Sequence, residues 1–210
     1  MDTVPRAYDA IVLAGGRSAR MGDVDKLQVV VDGATLLTHA LAAVADARRV
    51  VVVAPDGTAG LPAGVDRVQE EPPFSGPAAA MGAGLTALRR HADAADHVVV
   101  VAADVPRIGD VVDALLAGLA AHPGRDGVVA SGVDGRRQPL LAAHRVAPLR
   151  AALDAHAPLA HLSATRVTSG LDLAEIDLAE VADDVDTPDD LHRLVRRAGR
   201  GDHDEGDHDG

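Results

Sequence analysis

The chain has 210 residues, of which 47% are apolar and 25% charged, and this predicts one globular domain with a well-buried core. A formal net charge of −12 argues against a protein that binds duplex nucleic acid, because such proteins need basic surface to displace counterions. The sequence contains no cysteine, which excludes disulfides and cysteine-based zinc or iron–sulfur sites.

The termini and the hydropathy pattern predict where the protein works. No apolar run reaches the length of a membrane span, and the N-terminus lacks the basic start and apolar stretch of a secretory signal. We therefore expect a cytoplasmic protein that does not bind a membrane. We predict one domain over residues 1–199, followed by a disordered acidic and histidine-rich tail over residues 200–210.

The predicted elements alternate between strands and helices. Apolar, mostly β-branched runs closed by Gly, Pro or Asp predict strands, and apolar residues at helical spacing predict helices. In chain order the predicted segments are a strand at Ala10–Leu13, a short extended piece at Gln28–Val31, a helix at Thr35–Ala47, a strand at Val50–Val53, a helix at Ala78–His91, a strand at Val98–Val101, a helix at Val111–Ala121, strands at Gly127–Ser131 and Leu140–Ala143, and helices at Val146–His156 and Asp189–Arg197.

This alternation is typical of an α/β fold, namely a doubly wound, mostly parallel sheet in a three-layer α/β/α sandwich. Ligands of such sheets bind beyond the carboxyl ends of the strands, where the strand order reverses. The glycine-rich segment after the first strand and Asp104 after the strand Val98–Val101 both fall at such ends. The sequence therefore predicts a ligand site at that edge of the sheet.

The segment after the first strand is rich in glycine and in cations. Its sequence is Leu13-Ala14-Gly15-Gly16-Arg17-Ser18-Ala19-Arg20-Met21-Gly22-Asp23-Val24-Asp25-Lys26. It contains neither the Gly-Lys-Ser/Thr of a P-loop nor the G-x-G-x-x-G of a dinucleotide-binding turn. Adjacent glycines let backbone N–H groups approach an anion, and Arg17, Arg20 and Lys26 add three positive charges. The pattern predicts a polyphosphate site; the alternative is a tight glycine turn with solvated basic residues.

Five motifs, in order over residues 9–195, resemble those of the nucleotidyltransferase superfamily that includes the molybdenum cofactor guanylyltransferases. The first is the glycine-rich segment, which resembles the Leu-Ala-Gly-Gly-x-Ser-x-Arg-Met-Gly signature followed by Asp-Lys. The other four are Gly76-Pro77-Ala78-Ala79-Ala80, Ala103-Asp104-Val105-Pro106, Asp134-Gly135-Arg136-Arg137-Gln138-Pro139-Leu140 and Asp184-Val185-Asp186-Thr187-Pro188. The resemblance implies the same three-layer fold and an enzyme that moves GMP from GTP to the phosphate of a molybdopterin-type cofactor and releases pyrophosphate.

Roles for single residues follow from the reaction and the resemblance. Transfer from an NTP to an acceptor phosphate rests on alignment and charge neutralisation, so Arg20, Lys26 and Asp104 are the predicted catalytic residues. Asp104 is also the predicted ligand of Mg²⁺, and Asp186 is a second ligand or a partner of the metal site. The alternatives are a helix N-cap or turn residue for Asp104, and a turn leading into a helix for Asp186.

The residues predicted to bind the nucleotide are Leu13, Ala14, Gly15, Gly16, Lys26, Glu71 and Asp104. Ala54 stands where some relatives have an Asn that holds the nucleotide, and Glu71 stands where the pattern has Asp. Asp184 and Asp186 replace the two Asn of the last motif, as in cytidylyltransferase relatives. These departures concern the choice of base, for which we predict GTP first and CTP next.

The resemblance implies an NTP and a molybdopterin-type acceptor as ligands, and proteins of molybdoenzyme maturation as further partners. CTP-dependent transfer to the same cofactor, or activation of a sugar or alcohol phosphate, is the rival within the same chemistry. A rival of another class is a non-catalytic protein that binds nucleotide and pterin. The set of Arg20, Lys26 and Asp104 favours the enzyme, because a binder has less need of cations around a departing pyrophosphate.

Overall fold

The computed structural model describes residues 7–15, 20–21 and 24–178. Within them the strands are β1 Asp9–Leu13, β2 Arg20–Met21, β3 Val24–Asp25, β4 Val30–Val31, β5 Ala34–Thr35, β6 Val50–Val53, β7 Asp66–Val68, β8 His97–Ala102, β9 Gly127–Ser131, β10 Arg137–Arg145 and β11 Leu173–Asp177. The α-helices are α1 Leu36–Ala43, α2 Pro77–Leu88, α3 Ile108–Ala121, α4 Val146–Ala155 and α5 Ala164–Thr168.

One seven-stranded sheet runs through the domain, in the order β11-β9-β10-β8-β1-β6-β7. Neighbouring strands are parallel except where β10 pairs with β8 and with β9. The prediction of a doubly wound, mostly parallel sheet is confirmed. Because β10 runs the other way, its first residues lie at the edge where β8 ends.

Both faces of the sheet are covered by helices. Val12 of β1 packs in a cluster with residues of α1 and α3, whereas its neighbour Ile11 packs in a cluster with residues of α2, α4 and α5. Successive side chains of a strand point to opposite faces, so burial of both faces explains the uninterrupted apolar runs of β1, β6 and β8. The predicted three layers are therefore present, and Met81 of α2 lies in the core at 0% exposure.

The strands were predicted best where the chain is most apolar. The predictions Val50–Val53 and Gly127–Ser131 match β6 and β9 residue for residue. The prediction at Gln28–Val31 is half wrong, because a turn of 3₁₀ helix occupies residues 26–28 and only Val30–Val31 is extended. The segment predicted at Leu140–Ala143 is longer in the structure, where β10 covers nine residues.

The four helix predictions that fall on described residues match α1 to α4, but each misses at least one end. The helix predicted at Thr35–Ala47 begins only after Thr35, whose side chain accepts a hydrogen bond from Thr38 N at 3.1 Å, and it ends at Ala43. None of the helices that the structure describes is both long and apolar enough to span a bilayer. The predicted helix Asp189–Arg197 and the tail at residues 200–210 lie outside the described residues.

Besides the two-residue strands β2, β3 and β5, three short elements were not predicted: β7, α5 and β11. β7 and β11 are the two edge strands of the sheet, and each carries charged residues because one of its sides faces solvent. Such strands lack a continuous apolar run, so the sequence pattern does not separate them from loops. α5 has only five residues, with its cap at Ser163, whose hydroxyl accepts a hydrogen bond from Arg166 N.

The amino-terminal edge of the sheet is held by a buried carboxylate and an exposed ion-pair cluster. Asp9 is 1% exposed, and its Oδ2 accepts a hydrogen bond from Ala95 N at 2.8 Å. Burial raises the pKa of Asp9 above its ordinary value. Arg49 donates to Asp93 at 2.6 Å, and this hydrogen bond lowers the pKa of Asp93. These contacts tie the segment before β8 to the starts of β1 and β6.

His144 of β10 makes folding sensitive to acid. It is fully buried, and neither ring nitrogen has a hydrogen-bond partner within the part of the chain that the structure describes. Burial lowers its pKa from 6.5 to about 4, against a weaker opposite effect of Asp126. The unfolded chain therefore binds more protons than the folded chain between those two values. The free energy of unfolding should fall as pH decreases through this window, by about 3 kcal/mol at pH 4.

We expect His144→Leu to remove this component of the pH dependence. Urea unfolding of the parent protein and the variant at pH 7 and pH 4.5 measures the change. The carboxylates contribute equally to the pH dependence of both proteins, so their effect cancels in the comparison. The parent protein should lose more stability than the variant between these two values. An equal loss in both proteins would contradict the assignment to His144.

Candidate nucleotide site

Backbone hydrogen bonds continue beyond the ends of the central strands and fix the predicted loops side by side. Ala103 N donates to Leu13 O at 3.0 Å, and Ala14 N donates to Val53 O at 2.9 Å. The first predicted loop is thereby held between the loop after β8 and the loop after β6. This edge of the sheet is the carboxyl-terminal edge, where the fold places its ligands.

Gly15 is exposed at the centre of this edge. A Cβ atom built there would lie 3.4 Å from Pro55 Cδ and 3.6 Å from Val53 O, so the loop after β6 lies directly against it. The backbone of Leu13, Ala14 and Gly15 is therefore placed as the sequence predicts. Gly16 and Arg17 lie outside the described residues.

Asp104 follows β8 by two residues and is half-buried. The helix that comes next begins at Ile108 and has Arg107 at its N-cap position. Asp104 is therefore not the cap of this helix, so the N-cap alternative is wrong, whereas the alternative of a turn residue is not contradicted. Its backbone lies in a turn at the carboxyl end of β8, next to the loop that contains Ala14.

The backbone of the two predicted catalytic cations is brought together by a hairpin. In the β2–β3 pair Arg20 lies opposite Asp25, the residue before Lys26. Leu27, which follows Lys26, is 4% exposed and belongs to the core cluster on the α1 and α3 face. The buried Leu27 anchors one end of the hairpin to the domain.

The segment before α5 contacts the Gly-Pro loop before α2 and holds it in place. Ser75 is buried, and its carbonyl accepts a hydrogen bond from His161 N at 2.6 Å. Gly76 has φ +96°, a conformation that favours glycine, and a Cβ atom there would lie 3.7 Å from Leu162 O. Phe74 and His161 have φ +61° and +65°, and both side chains are exposed.

Such left-handed backbone conformations cost free energy for residues other than Gly, Asn and Asp. They persist where surrounding contacts impose them. The sequence analysis did not select Phe74 or His161. Phe74 stands out in the sequence as the one phenylalanine of the chain, but nothing in the pattern marks its backbone conformation.

Glu71 lies at the far end of the same edge. It is exposed and follows the edge strand β7 by three residues. With about 4.8 Å between neighbouring strands, β7 and β8 are about 14 Å apart across the sheet. Glu71 and Asp104 therefore follow strands on opposite sides of β1, whose loop lies between them.

Arg67 of β7 is a cation at this edge that the sequence analysis missed. Its Nη1 donates to Ala54 O at 3.2 Å, and its guanidinium also forms an ion pair with Asp56. Ala54 is buried and its N–H donates to Val68 O at 2.9 Å. Arg67 therefore fixes the segment in which Ala54 replaces the Asn of some relatives. It was not found because β7 was not predicted.

A bulge in β10 lies at the carboxyl-terminal edge of the sheet, on the side of β8 that is away from β1. The register between β9 and β10 shifts between Gln138 and Ala142, and bulges are common next to active sites. Gly132 lies against Gln138, since a Cβ atom there would be 3.0 Å from its Nε2. The motif that contains Gln138 and Pro139 is thus placed beside the end of β8, where Asp104 follows.

This arrangement does not test the metal prediction, which stays a prediction. Within residues 7–15 and 24–178, no three His, Asp or Glu side chains cluster as metal ligands. Mg²⁺ needs only one or two carboxylates when phosphate oxygens and water fill its other positions, and Asp104 is a hard oxygen donor at the predicted edge. Asp186 lies outside the described residues.

Comparison with known proteins identifies relatives along most of the chain. Residues 10–169 match the family described as the MobA-like NTP transferase domain. The chain is 35% identical over 130 residues to a molybdenum cofactor guanylyltransferase of Bradyrhizobium sp., a match that covers 60% of this chain and 61% of that protein, which is less than two thirds of it. It is 32% identical over 201 residues to a protein of the same name from Rhizobium johnstonii, covering 89% of this chain and 90% of that one.

Solved structures show the same fold. Molybdopterin-guanine dinucleotide biosynthesis protein A from Archaeoglobus fulgidus has a TM-score of 0.65 at 18% identity, covering 91% of this chain and 98% of its own. The 2-C-methyl-D-erythritol 4-phosphate cytidylyltransferase from Thermus thermophilus has a TM-score of 0.62 at 22% identity, covering 91% and 99%. The chain therefore belongs to the family of MobA-like NTP transferase domains and is a nucleotidyltransferase.

Proposed function

We propose that the protein transfers GMP from GTP to the phosphate of a molybdopterin-type cofactor, with Mg²⁺, and releases pyrophosphate. The observation that carries the proposal is the match over 89% of the chain to a relative named molybdenum cofactor guanylyltransferase. The five predicted motifs support it, because the described ones all fall at the carboxyl-terminal edge of the sheet.

The order of the strands favours one orientation of the nucleotide. Ala54 and Glu71 follow β6 and β7, Asp104 follows β8, and Leu13–Gly15 lie between them. A nucleoside triphosphate is long enough to extend along this edge. We place its base toward Glu71 and its phosphates toward Asp104, with the backbone of Gly15 beneath it.

The reaction does not require a strong general base. An oxygen of the acceptor phosphate attacks the α-phosphorus of GTP, a new P–O bond forms, and the bond to the β-phosphate oxygen breaks as pyrophosphate leaves. The acceptor phosphate is already ionised at neutral pH, so the protein contributes alignment and charge neutralisation. Lys26 and Arg20 are the proposed cations toward the triphosphate, since the hairpin places their backbone together near the first loop.

We assign Asp104 as the carboxylate that holds Mg²⁺ when the metal is bound, with Asp186 as the second candidate. A magnesium ion at this position would neutralise phosphate charge. The half-buried position of Asp104 at a strand end fits that role, because a carboxylate partly shielded from water interacts more strongly with a cation than an exposed one. Transfer of the product to proteins of molybdoenzyme maturation stays a prediction.

We expect GTP to outcompete CTP when both are supplied with molybdenum-loaded molybdopterin. A site built to pair with one base rejects another strongly, since its own polar groups would otherwise be buried without partners. Product analysis after a competition with equal concentrations gives the ratio of the two rates. A preference for CTP would show that the protein transfers CMP and not GMP. The absence of product with every NTP would indicate a different phosphorylated acceptor.

We expect Lys26→Ala to reduce turnover strongly while the protein remains folded, because a cation near the departing pyrophosphate would be lost. Arg20→Ala should act in the same direction. Pyrophosphate release at saturating GTP measures both, and Arg166→Ala on the exposed face of α5 is the control. Normal turnover in both variants would show that the hairpin is not part of the active site.

A further inference from the structure

A groove runs along the outer face of α2, the face turned away from the sheet. Its volume is about 680 Å³, which is within the range of sites for small organic ligands. Its floor contains Gly82, Ala83 and Thr86 of α2. One wall contains residues 68, 69, 71 and 72, among them Glu71, and the other contains residues 153, 154 and 157–160.

The groove extends away from the nucleotide site. α2 begins after the Gly-Pro loop at the carboxyl-terminal edge and is about 18 Å long at 1.5 Å per residue. His91, just beyond its end, contacts Asp66 at 3.2 Å, and Asp66 is the first residue of β7. The end of α2 therefore lies near the amino-terminal edge of the sheet, opposite the edge that holds Asp104.

Three guanidinium groups line this far end of the groove. Arg89 and Arg90 follow α2, and Arg150 belongs to α4. Arg150 forms an ion pair with Asp154 at 3.4 Å. No carboxylate of the described residues lies within ion-pair distance of Arg89 or Arg90. In a chain of net charge −12, two neighbouring cations without a partner carboxylate in an indented surface form a suitable site for an anion.

The rest of the lining is mostly apolar. Leu85 and Leu153 are buried beneath the groove, and Leu159 and Pro158 belong to its wall. Gly82 permits this wall to stand close to α2, because a Cβ atom there would lie 2.6 Å from Leu159 Cδ1. The groove thus combines an apolar stretch with a cationic end.

We propose that this groove is a second ligand site that binds a phosphate monoester with an apolar body. Glu71, the proposed contact of the nucleotide base, lines its near end, whereas its cationic end lies toward the opposite edge of the sheet. The guanidinium groups of Arg89 and Arg90 receive the phosphate, since planar N–H donors match its oxygens. The apolar body lies on the leucine-lined stretch between α2 and Leu159. Nucleotidyl transfer at the opposite edge does not require this site.

Isothermal titration calorimetry with 1-naphthyl phosphate tests the proposal, with inorganic phosphate and 1-naphthoate as comparison ligands. We expect saturable binding of one 1-naphthyl phosphate per chain, tighter than either comparison ligand. Arg89→Glu and Arg90→Glu should each weaken it at least tenfold. Arg166→Glu, which reverses one exposed charge on α5 outside the groove, should change it less than twofold.

Gly82→Ala distinguishes the apolar part of the site from its charge. The added methyl group displaces Leu159, so affinity for 1-naphthyl phosphate should fall while affinity for inorganic phosphate is kept. Thermal stabilisation by GTP in every variant shows that the fold and the nucleotide site persist. Equal binding in the Arg89 and Arg166 variants would overturn the proposal, as would a groove covered by a second copy of the chain, seen as a dimer that Arg90→Glu dissociates. Either result leaves guanylyl transfer to be judged by its own turnover assay.

Discussion

Asp104→Asn should reduce turnover by a factor on the order of 100 to 1000, with little change in stability, because the amide keeps the size of the side chain and removes its charge. Asp104 is half-buried in a turn after β8 and is not the cap of α3, so no helix depends on its carboxylate as a cap. Pyrophosphate release with GTP and molybdopterin as substrates gives the rate. A Mg²⁺ titration should also show a higher half-saturating concentration in the variant.

Asp110→Asn is the matched control for this prediction. Asp110 is exposed in the first turn of α3 and pairs with Arg107 at 2.6 Å. Exposed ion pairs contribute little to stability, and this one has no place in the proposed mechanism. Unchanged turnover in Asp104→Asn at every Mg²⁺ concentration would refute the metal assignment.

Gly127→Ala should destabilise the protein by about 3 kcal/mol, which is the upper part of the range for overpacked positions. A Cβ atom at Gly127 of β9 would lie 2.4 Å from Ala143 O and 2.9 Å from His144 Cα. Both are backbone atoms of the paired strand β10 and cannot move aside as a flexible side chain would. Relief of the clash requires β9 and β10 to separate at this end.

Urea unfolding at pH 7 measures this loss, with Gly124→Ala as the control. No heavy atom outside its chain neighbours lies within 4 Å of a Cβ atom built at Gly124, so this change should shift the free energy of unfolding by less than about 0.5 kcal/mol. Similar stability of the two variants would mean that β9 and β10 separate at this end without cost.

The accuracy of the sequence predictions varied with burial. β6 and β9 were predicted to the residue because strands buried on both faces must be apolar throughout. β7 and β11 were missed because an edge strand has a solvent side and accepts charges such as Arg67 and Glu175. The sequence predicts a site at the carboxyl-terminal edge because strand-then-loop order fixes which residues end at that edge.

Neither the distances across that edge nor the groove on α2 was accessible from the sequence. Glu71 and Asp104 are both predicted nucleotide contacts, yet only the strand order shows that they flank the first loop from opposite sides. Arg89 and Arg150 are 61 positions apart in the chain and line one groove because α4 packs beside α2. Such neighbours arise from how helices pack on the sheet, which no local pattern encodes.

The sequence by itself therefore determined the fold class, the family motifs and the chemistry of the reaction. These depend on which residue types follow each other, because hydrophobic periodicity and loop composition are local properties. The tertiary structure alone decided the antiparallel direction of β10, the contact of His161 with the Gly-Pro loop, and the burial of His144 with no hydrogen-bond partner among the residues that the structure describes. These depend on contacts between residues far apart in the chain, whose energies exist only once the layers have packed.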